Sequence, residues 1–181
     1  MNKPQEYDQT QAKQGGGDFP KVPAGGYVLG IVSAEETRSK KGNPMLHLRL
    51  DVAEGEYRRF YTNLSQKLEN EIYLDFYQLI DGESLPFFKG AIETIEKSNT
   101  GYKFNFDEKT LVNKKVGANL REEEYEKNGE IKTSLKIAHL LTIEDLKKGV
   151  EILPKKTISG KTISTQAIPQ TDKSKDDDLP F

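Results

Sequence analysis

In the stretch MLHLRLDV, residues 45–52, apolar and polar side chains alternate from Leu46 to Val52. A period of two predicts a β-strand, because successive side chains of a strand point to opposite faces of the sheet. The three leucines and the valine would form one buried face. The other face would then carry His47 and Arg49, so the stretch predicts a half-buried strand with a cationic outer side.

One further strand is predicted on each side of this central strand. Residues 27–34 (YVLGIVSA) are rich in β-branched and aromatic side chains, and Gly30 suggests a bulge or a close backbone approach. The polar loop 35–44 places three cations beside Gly, Asn and Pro, which favour a turn. Glu54-Gly55 is a plausible hairpin turn, after which residues 56–62 (EYRRFYT) would return as the third strand.

The length of that turn leaves two registers open for the third strand. A slip by one residue exchanges the two faces of a strand, so the sequence alone does not choose between them. In either register an arginine and an aromatic ring lie beside Arg49 on the outer face. The pairs are Asp51–Arg58 with Arg49–Phe60 for a two-residue turn, or Asp51–Arg59 with Arg49–Tyr61 for a three-residue turn.

The rest of the chain predicts helices and a β-hairpin. Asn128-Gly129 is the strongest hairpin signal, since both residues adopt positive φ readily. The predicted elements are a helix over 63–80, a helix from Ser84 towards Gly101, a strand over 102–106, hairpin arms over 116–125 and 130–138, and a short helix from Thr142. Rings at helical spacing usually pack in the core, which we expect for Tyr73, Phe76, Tyr77, Phe87 and Phe88.

This order of elements predicts a mainly β fold with inserted helices, namely the OB-fold, a five-stranded Greek-key barrel. That fold binds oligonucleotides on the face of its second and third strands and with its 1–2 and 4–5 loops. The predicted organisation is a disordered arm over 1–17, the barrel domain over 18–150, a flexible linker over 151–175 and an acidic tip over 176–181.

The composition narrows the class of protein. The chain of 181 residues carries 27 Lys and Arg against 29 Asp and Glu. Any binding to phosphates would therefore need a local basic surface and not a global positive field. The absence of cysteine excludes disulfides and thiolate zinc sites and suits a reducing compartment. No apolar run approaches the roughly 20 residues of a membrane-spanning helix, and no signal peptide is expected.

The final residues, DDDLPF, combine three carboxylates with a proline-restrained apolar plug. They resemble the acidic tip of bacterial single-stranded DNA-binding proteins, which recruits replication, recombination and repair enzymes. The stretches PAGGY (23–27), SKKGNPML (39–46) and VGA (116–118) are similar to a family of bacteriophage and prophage proteins thought to bind single-stranded DNA. The resemblance implies a location in the cytoplasm of a bacterial host and a tip that binds partner enzymes. The tip residues are Asp176, Asp177, Asp178, Leu179, Pro180 and Phe181.

Binding of single strands without sequence preference needs cations along the backbone and rings on which bases stack. The predicted phosphate contacts are Arg38, Lys40, Lys41, Arg49, Arg58 and Arg59, and the predicted stacking rings are Tyr57, Phe60 and Tyr61. We expect no catalysis, cofactor or metal, because His47 and His139 are far apart and the glutamates at 122–124 cannot converge on one ion from a strand. The alternatives are a recombination mediator or adaptor that carries the tip without coating DNA and, ranked lower, a metal-dependent phage nuclease or resolvase. A homo-oligomer is left open.

Overall fold

The computed structural model describes residues 21–158 and 162–163, which form a mainly β structure with a few helices. The strands are β1 (Gly25–Arg38), β2 (Pro44–Val52), β3 (Leu74–Leu79), β4 (Lys115–Lys127), β5 (Glu130–Leu141), β6 (Lys155–Lys156) and β7 (Thr162–Ile163). The helices are α1 (Phe60–Leu68), α2 (Leu85–Ser98) and α3 (Ile143–Lys147). The predicted arm over 1–17, most of the predicted linker and the tip over 176–181 lie outside the described residues.

The strands form one sheet in the order β3-β2-β1-β4-β6-β7, with β5 paired to the other edge of β4. All pairs are antiparallel except β4 with β6, which meet in parallel where Glu123 lies opposite Lys156. The long strand β1 is central, because its first half pairs with β4 and its second half with β2. A bulge between Ile31 and Ser33, close to Gly30, falls where the bulge was predicted.

The core lies on the inner face of this sheet, and the predicted alternation of β2 is confirmed. Leu46, Leu48, Leu50 and Val52 are all buried, together with Leu29 and Ile31 of β1 and Val116, Ala118 and Leu120 of β4. Burial of these aliphatic side chains supplies the main hydrophobic stabilisation of the sheet, at roughly 25 cal/mol for each Å² removed from water.

The predicted third strand over 56–62 is wrong, and so are both of its registers. Residues after Val52 form turns, and α1 begins at Phe60. The cause is Asp51, whose buried carboxylate accepts hydrogen bonds from the amides of Tyr61 and Thr62 at 3.0 and 2.8 Å. It thereby caps the helix from a neighbouring strand. In the sheet Asp51 lies opposite Gly30, and no arginine faces it across a hairpin.

The predicted helix over 63–80 is also wrong in its second half. The helix α1 ends at Leu68, after which Glu69 takes the left-handed conformation at φ 50°. The hydroxyl of Ser65 then accepts from the amide of Ile72 and donates to its carbonyl, both at 2.8 Å, which closes a short connection. Residues from Leu74 to Leu79 form the true third strand, because they find a partner in β2.

Helix α2 confirms the helix predicted from Ser84, although it ends at Ser98, before Gly101. The strand predicted over 102–106 is wrong, because this segment is irregular and leads into a 3-10 helix at Glu108–Leu111. The carboxylate of Glu96 accepts from the backbone amide of Phe104 at 2.9 Å, so α2 takes a backbone donor that a sheet partner would otherwise use.

The predicted β-hairpin is confirmed. Asn128 and Gly129 join β4 to β5 with φ values of 56° and 76°. Thr142 caps α3 as predicted, since its hydroxyl accepts from the amide of Asp145 at 3.0 Å. Beyond residue 150 the chain continues on the sheet as β6, with Thr157 buried.

Two glycines of the quoted motifs have a packing role. A Cβ on Gly26 would lie 2.3 Å from a methyl carbon of Val150, and one on Gly117 would lie 2.9 Å from the carbonyl oxygen of Leu141. At both positions the absence of a side chain therefore lets α3 and the residues next to it pack closely against the strand.

Candidate nucleic-acid interface

The side of β2 that faces away from the core lies between polar residues of β1 and β3. His47 pairs with Glu35 of β1 and with Tyr77 of β3, while Arg49 pairs with Asp75 of β3. Side chains at directly paired positions of neighbouring strands share one face of the sheet. These five residues define the outer β2 face.

His47 joins the three strands through both ring nitrogens. Its Nδ1 lies 2.9 Å from Glu35 Oε1, and its Nε2 lies 2.8 Å from Asp75 Oδ1. Each ring nitrogen of His47 therefore has a carboxylate oxygen within hydrogen-bonding distance. The Tyr77 ring stacks on the imidazole with centroids 4.3 Å apart and an interplanar angle of 10°. The buried His47 thus supports a tyrosine ring at the surface.

Arg49 and Tyr77 are the accessible groups of the outer β2 face. The Arg49 side chain is 34% exposed, and its Nη1 lies 2.6 Å from Glu71 Oε2. The Tyr77 residue is 54% exposed. Burial, and next the charge of Asp75, raises the pKa of the Tyr77 hydroxyl, although Arg49 acts in the opposite direction. Carboxylates therefore offset much of the positive charge on this face.

Cationic side chains lie near both ends of β2. Before β2, Arg38 Nη1 donates to the Gly42 carbonyl at 2.9 Å, and Lys40 and Lys41 are exposed. After β2, Arg58 and Arg59 are exposed, and the Arg59 amide donates to the Val52 carbonyl at 2.8 Å. Within residues 21–158, no carboxylate forms an ion pair with Lys40, Lys41, Arg58 or Arg59.

The three predicted stacking rings lie elsewhere. Tyr57 and Phe60 are half-buried, and Tyr61 is buried against the core. Together with Tyr27 they form a chain of edge-to-face contacts, here called the α1 cluster. Burial, and next the charge of Asp51, raises the pKa of Tyr61, as expected for an interior phenol. The structure thus places these rings in packing contacts and not beside Arg49.

Sequence reasoning missed the ring that the structure does place beside Arg49, namely Tyr77. It also missed Glu71 and Asp75, whose carboxylates contact Arg49 and His47. The signal was weak, because Leu74, Asp75 and Phe76 alternate as in a strand but Gln78 and Leu79 reverse the alternation. The i, i+4 spacing of Ile72 and Phe76 obscured it.

Two of the three consecutive glutamates of β4, Glu123 and Glu124, form ion pairs within the structure. Glu123 contacts Arg121 at 2.6 Å, and Glu124 contacts Lys155 at 2.9 Å. The hydrogen bond from Lys155 holds the pKa of Glu124 below its usual range. In the part of the chain that the structure describes, no group of three or more His, Asp or Glu side chains could hold a metal ion.

Comparison with known proteins finds one family. The model of a family described as "Protein of unknown function (DUF669)" matches residues 5–75, which include β1, β2, α1 and the outer β2 face up to Asp75. No curated protein matches the chain. Among the described residues, no helix has the length and apolar character needed to cross a membrane.

Proposed function

We propose that this chain is a single-stranded DNA-binding protein that coats and protects exposed strands without sequence preference. Residues 176–181 would recruit replication, recombination and repair enzymes, as their resemblance to the bacterial acidic tip implies. The protein would act without a catalytic step.

The arrangement of strands supports an OB-fold as the basis of this function. The strand β1 lies between β2 and β4, β3 pairs with β2, β5 pairs with β4, and α2 connects β3 to β4. Strands β3 and β5 also approach each other, which would close a five-stranded Greek-key barrel. In that fold the strand 2–3 face and the 1–2 loop bind oligonucleotides. Here they correspond to the outer β2 face and residues 39–43.

The observation that carries the proposal is the pair of free cation groups at the two ends of β2. The nine-residue strand β2 lies between them, and its first and last Cα atoms are about 27 Å apart, since eight steps of ~3.4 Å separate them. Arg49 lies between them, and Tyr77 offers one accessible ring beside it. A single strand laid along β2 would therefore meet phosphate contacts at both ends and a stacking contact in the middle.

The test is a fluorescence anisotropy titration with labelled oligo(dT) over a range of salt concentrations, with duplex DNA as the comparison. Lys40→Ala/Lys41→Ala should reduce the salt slope of log K by about 1.4, since each phosphate contact contributes about 0.7 for single strands. Arg58→Ala/Arg59→Ala should act similarly. The control Lys89→Ala/Lys97→Ala removes the same charge from α2 and should leave the slope unchanged. Absence of oligo(dT) binding in dilute buffer would overturn the proposal.

Arg49 makes a smaller and more specific contribution. Its Nη1 lies 2.6 Å from Glu71 Oε2, a carboxylate that competes with phosphate for the guanidinium. Arg49→Ala should weaken binding and flatten the salt dependence, while Glu71→Gln should strengthen binding by freeing the arginine. An unchanged salt slope in Arg49→Ala would remove this residue from the interface.

An adaptor that carries the tip but does not coat DNA is the second candidate. Three carboxylates on or beside the outer β2 face favour it, because Glu35, Glu71 and Asp75 repel phosphate. The same oligo(dT) titration separates the two functions. A magnesium-dependent cleavage assay tests the third reading, a nuclease or resolvase.

A further inference from the structure

An exposed apolar groove runs between α2 and the irregular segment that follows it. It consists of two adjoining cavities of about 350 and 240 Å³, here called the α2 groove. Both cavities are lined by Leu85, Phe88, Phe104 and Phe106. Ile92 adds to the apolar lining of the first cavity, and Leu46 and Ile80 add to that of the second. A contiguous apolar surface of this kind on a soluble domain indicates an interaction site.

Polar contacts hold the walls of the α2 groove in place. The carboxylate of Glu96 accepts from the Phe104 amide at 2.9 Å and from Lys103 Nζ at 2.7 Å, which ties the segment to α2. The Asn105 side chain accepts from the Asp107 amide at 3.2 Å and so supports the turn that carries Phe106. The groove is therefore formed before any partner binds.

Phe106 is held in an unusual state. The residue is 83% exposed, and its backbone has φ 64°, a conformation that bulky residues rarely adopt. Such strain persists only where the surrounding structure imposes it, and it is concentrated at functional positions. The ring contacts Phe104, with centroids 5.4 Å apart, but remains largely in solvent, which favours a role in binding a partner.

The charges around the groove define what that partner carries. Glu36 and Glu108 line the second cavity, and neither forms an ion pair with a residue in the described range. At the first cavity, Glu93 lies 3.8 Å from Lys89, and Glu96 is paired with Lys103. The unbalanced charge of the groove is thus negative at its second cavity.

We propose that the α2 groove binds a partner polypeptide segment with two apolar anchors, at least one of them aromatic, flanked by Lys or Arg. The anchors would fill the two cavities, and the cation would lie over Glu36 and Glu108. These carboxylates repel DNA phosphates, so the groove is distinct from the proposed DNA interface. The proposal does not depend on single-stranded DNA binding.

The test uses the full chain and a random peptide library displayed on phage. Selection on the wild-type protein with counter-selection on Phe106→Glu isolates peptides that need the groove. The consensus should combine apolar and basic residues, and replacing its basic residues by Glu should abolish binding. Fluorescence anisotropy with the synthesised peptide should show at least about tenfold weaker binding for Phe106→Glu and for Glu36→Lys/Glu108→Lys.

Phe87→Glu is the matched control. Like Phe106, Phe87 is an exposed phenylalanine, at 70%, but it belongs to α2 and does not line either cavity. Its substitution should change affinity by no more than about twofold. Failure to recover peptides that depend on Phe106, an acidic consensus, or affinity insensitive to the charge reversal would each overturn the proposal. A dimer seen by sedimentation and lost in Phe106→Glu would assign the groove to a second copy instead, with the same consequence.

Discussion

The α1 cluster and the α2 groove contain similar aromatic residues, but the two regions differ in how far their rings are buried. In the α1 cluster, Tyr61 is buried and its ring contacts Phe60 with centroids 5.1 Å apart. In the α2 groove, Phe104 and Phe106 are 5.4 Å apart, yet Phe106 is almost fully exposed. The first region is covered because a helix begins over it. The second is open because the chain beside α2 stays irregular.

The difference shows that backbone geometry, and not side-chain type, decides whether a ring is buried or stays exposed. Sequence reasoning assigned Tyr57, Phe60 and Tyr61 to ligand stacking and expected Phe87 to be in the core. In the structure Tyr61 is buried, Tyr57 and Phe60 are half-buried, and Phe87 is exposed.

Truncating one ring in each region should give the largest difference in stability between the α1 cluster and the α2 groove. Tyr61→Ala should lower the free energy of unfolding by about 3 kcal/mol, because it leaves a cavity in the packed cluster. Phe106→Ala should change it by no more than about 0.5 kcal/mol, because the ring is in solvent. Urea denaturation measures both. Equal losses in the two variants would show that the α2 groove is a packed part of the core.

Removing the carboxylate that caps helix α1 should have the next largest effect on stability. Asp51 accepts from the amides of Val52, Tyr61 and Thr62 and from the Thr62 hydroxyl. Asp51→Ala should cost about 2 kcal/mol, since buried donors lose a charged acceptor. Glu56→Ala, on the exposed turn before α1, should be neutral within about 0.5 kcal/mol. Denaturation curves that coincide for both variants would contradict the capping role.

A substitution in α2 should stabilise the groove side of the molecule. Gly90 lies inside α2, and a Cβ there would meet no atom within 4 Å. Gly90→Ala should raise the free energy of unfolding by about 0.8 kcal/mol, because alanine loses less backbone entropy in a helix. Gly117→Ala is the opposing control, since its Cβ would meet two carbonyl oxygens at 2.9 Å. A loss of stability in Gly90→Ala would imply an unseen contact.

The contact that positions the loop of the α2 groove should be sensitive to acid. The hydrogen bond from Lys103, and then that from the Phe104 amide, holds the pKa of Glu96 below its usual range. Its stabilising contribution is therefore complete above the ordinary carboxyl pKa of about 4.3 and is lost as pH falls through the lower folded value.

The Phe104 amide shift in ¹H–¹⁵N spectra should report this step. A titration from about pH 6 to about pH 3 should show a transition with a midpoint below the ordinary carboxyl value. Glu96→Gln should abolish the transition, whereas Glu93→Gln should retain it, because Glu93 makes no bond to this amide. A midpoint at or above the ordinary value would contradict the contact.

The parts of the fold that follow local rules could be predicted from sequence. The strand β2, the Asn128-Gly129 turn, the start of α2 and the cap at Thr142 depend on residues within a few positions of each other. The third strand could not, because Asp51 stops residues after 59 from forming a strand by capping α1 from ten positions away. Short apolar runs fit both a period of two and one of 3.6, so only their partners distinguish them.

The candidate site was predictable to the same extent. Arg38, Lys40, Lys41 and Arg49 follow from a cation-rich loop and an alternating strand, both of which are local patterns. The neutralising carboxylates were not visible, since Glu71 lies 22 positions from Arg49 and Asp75 lies 28 from His47. Whether a cation is free depends on which distant residue the fold brings beside it.

By itself the sequence determined that this is a mainly β chain with an alternating central strand, a tight hairpin and cations flanking that strand. These features need only the pleat of a strand, the φ preference of Asn-Gly and the solvation of charge. Only the tertiary structure decided which rings are covered, which arginine is paired and that an acid-rimmed apolar groove stays open beside α2. Those outcomes depend on contacts between residues far apart in the chain, and no local preference specifies them.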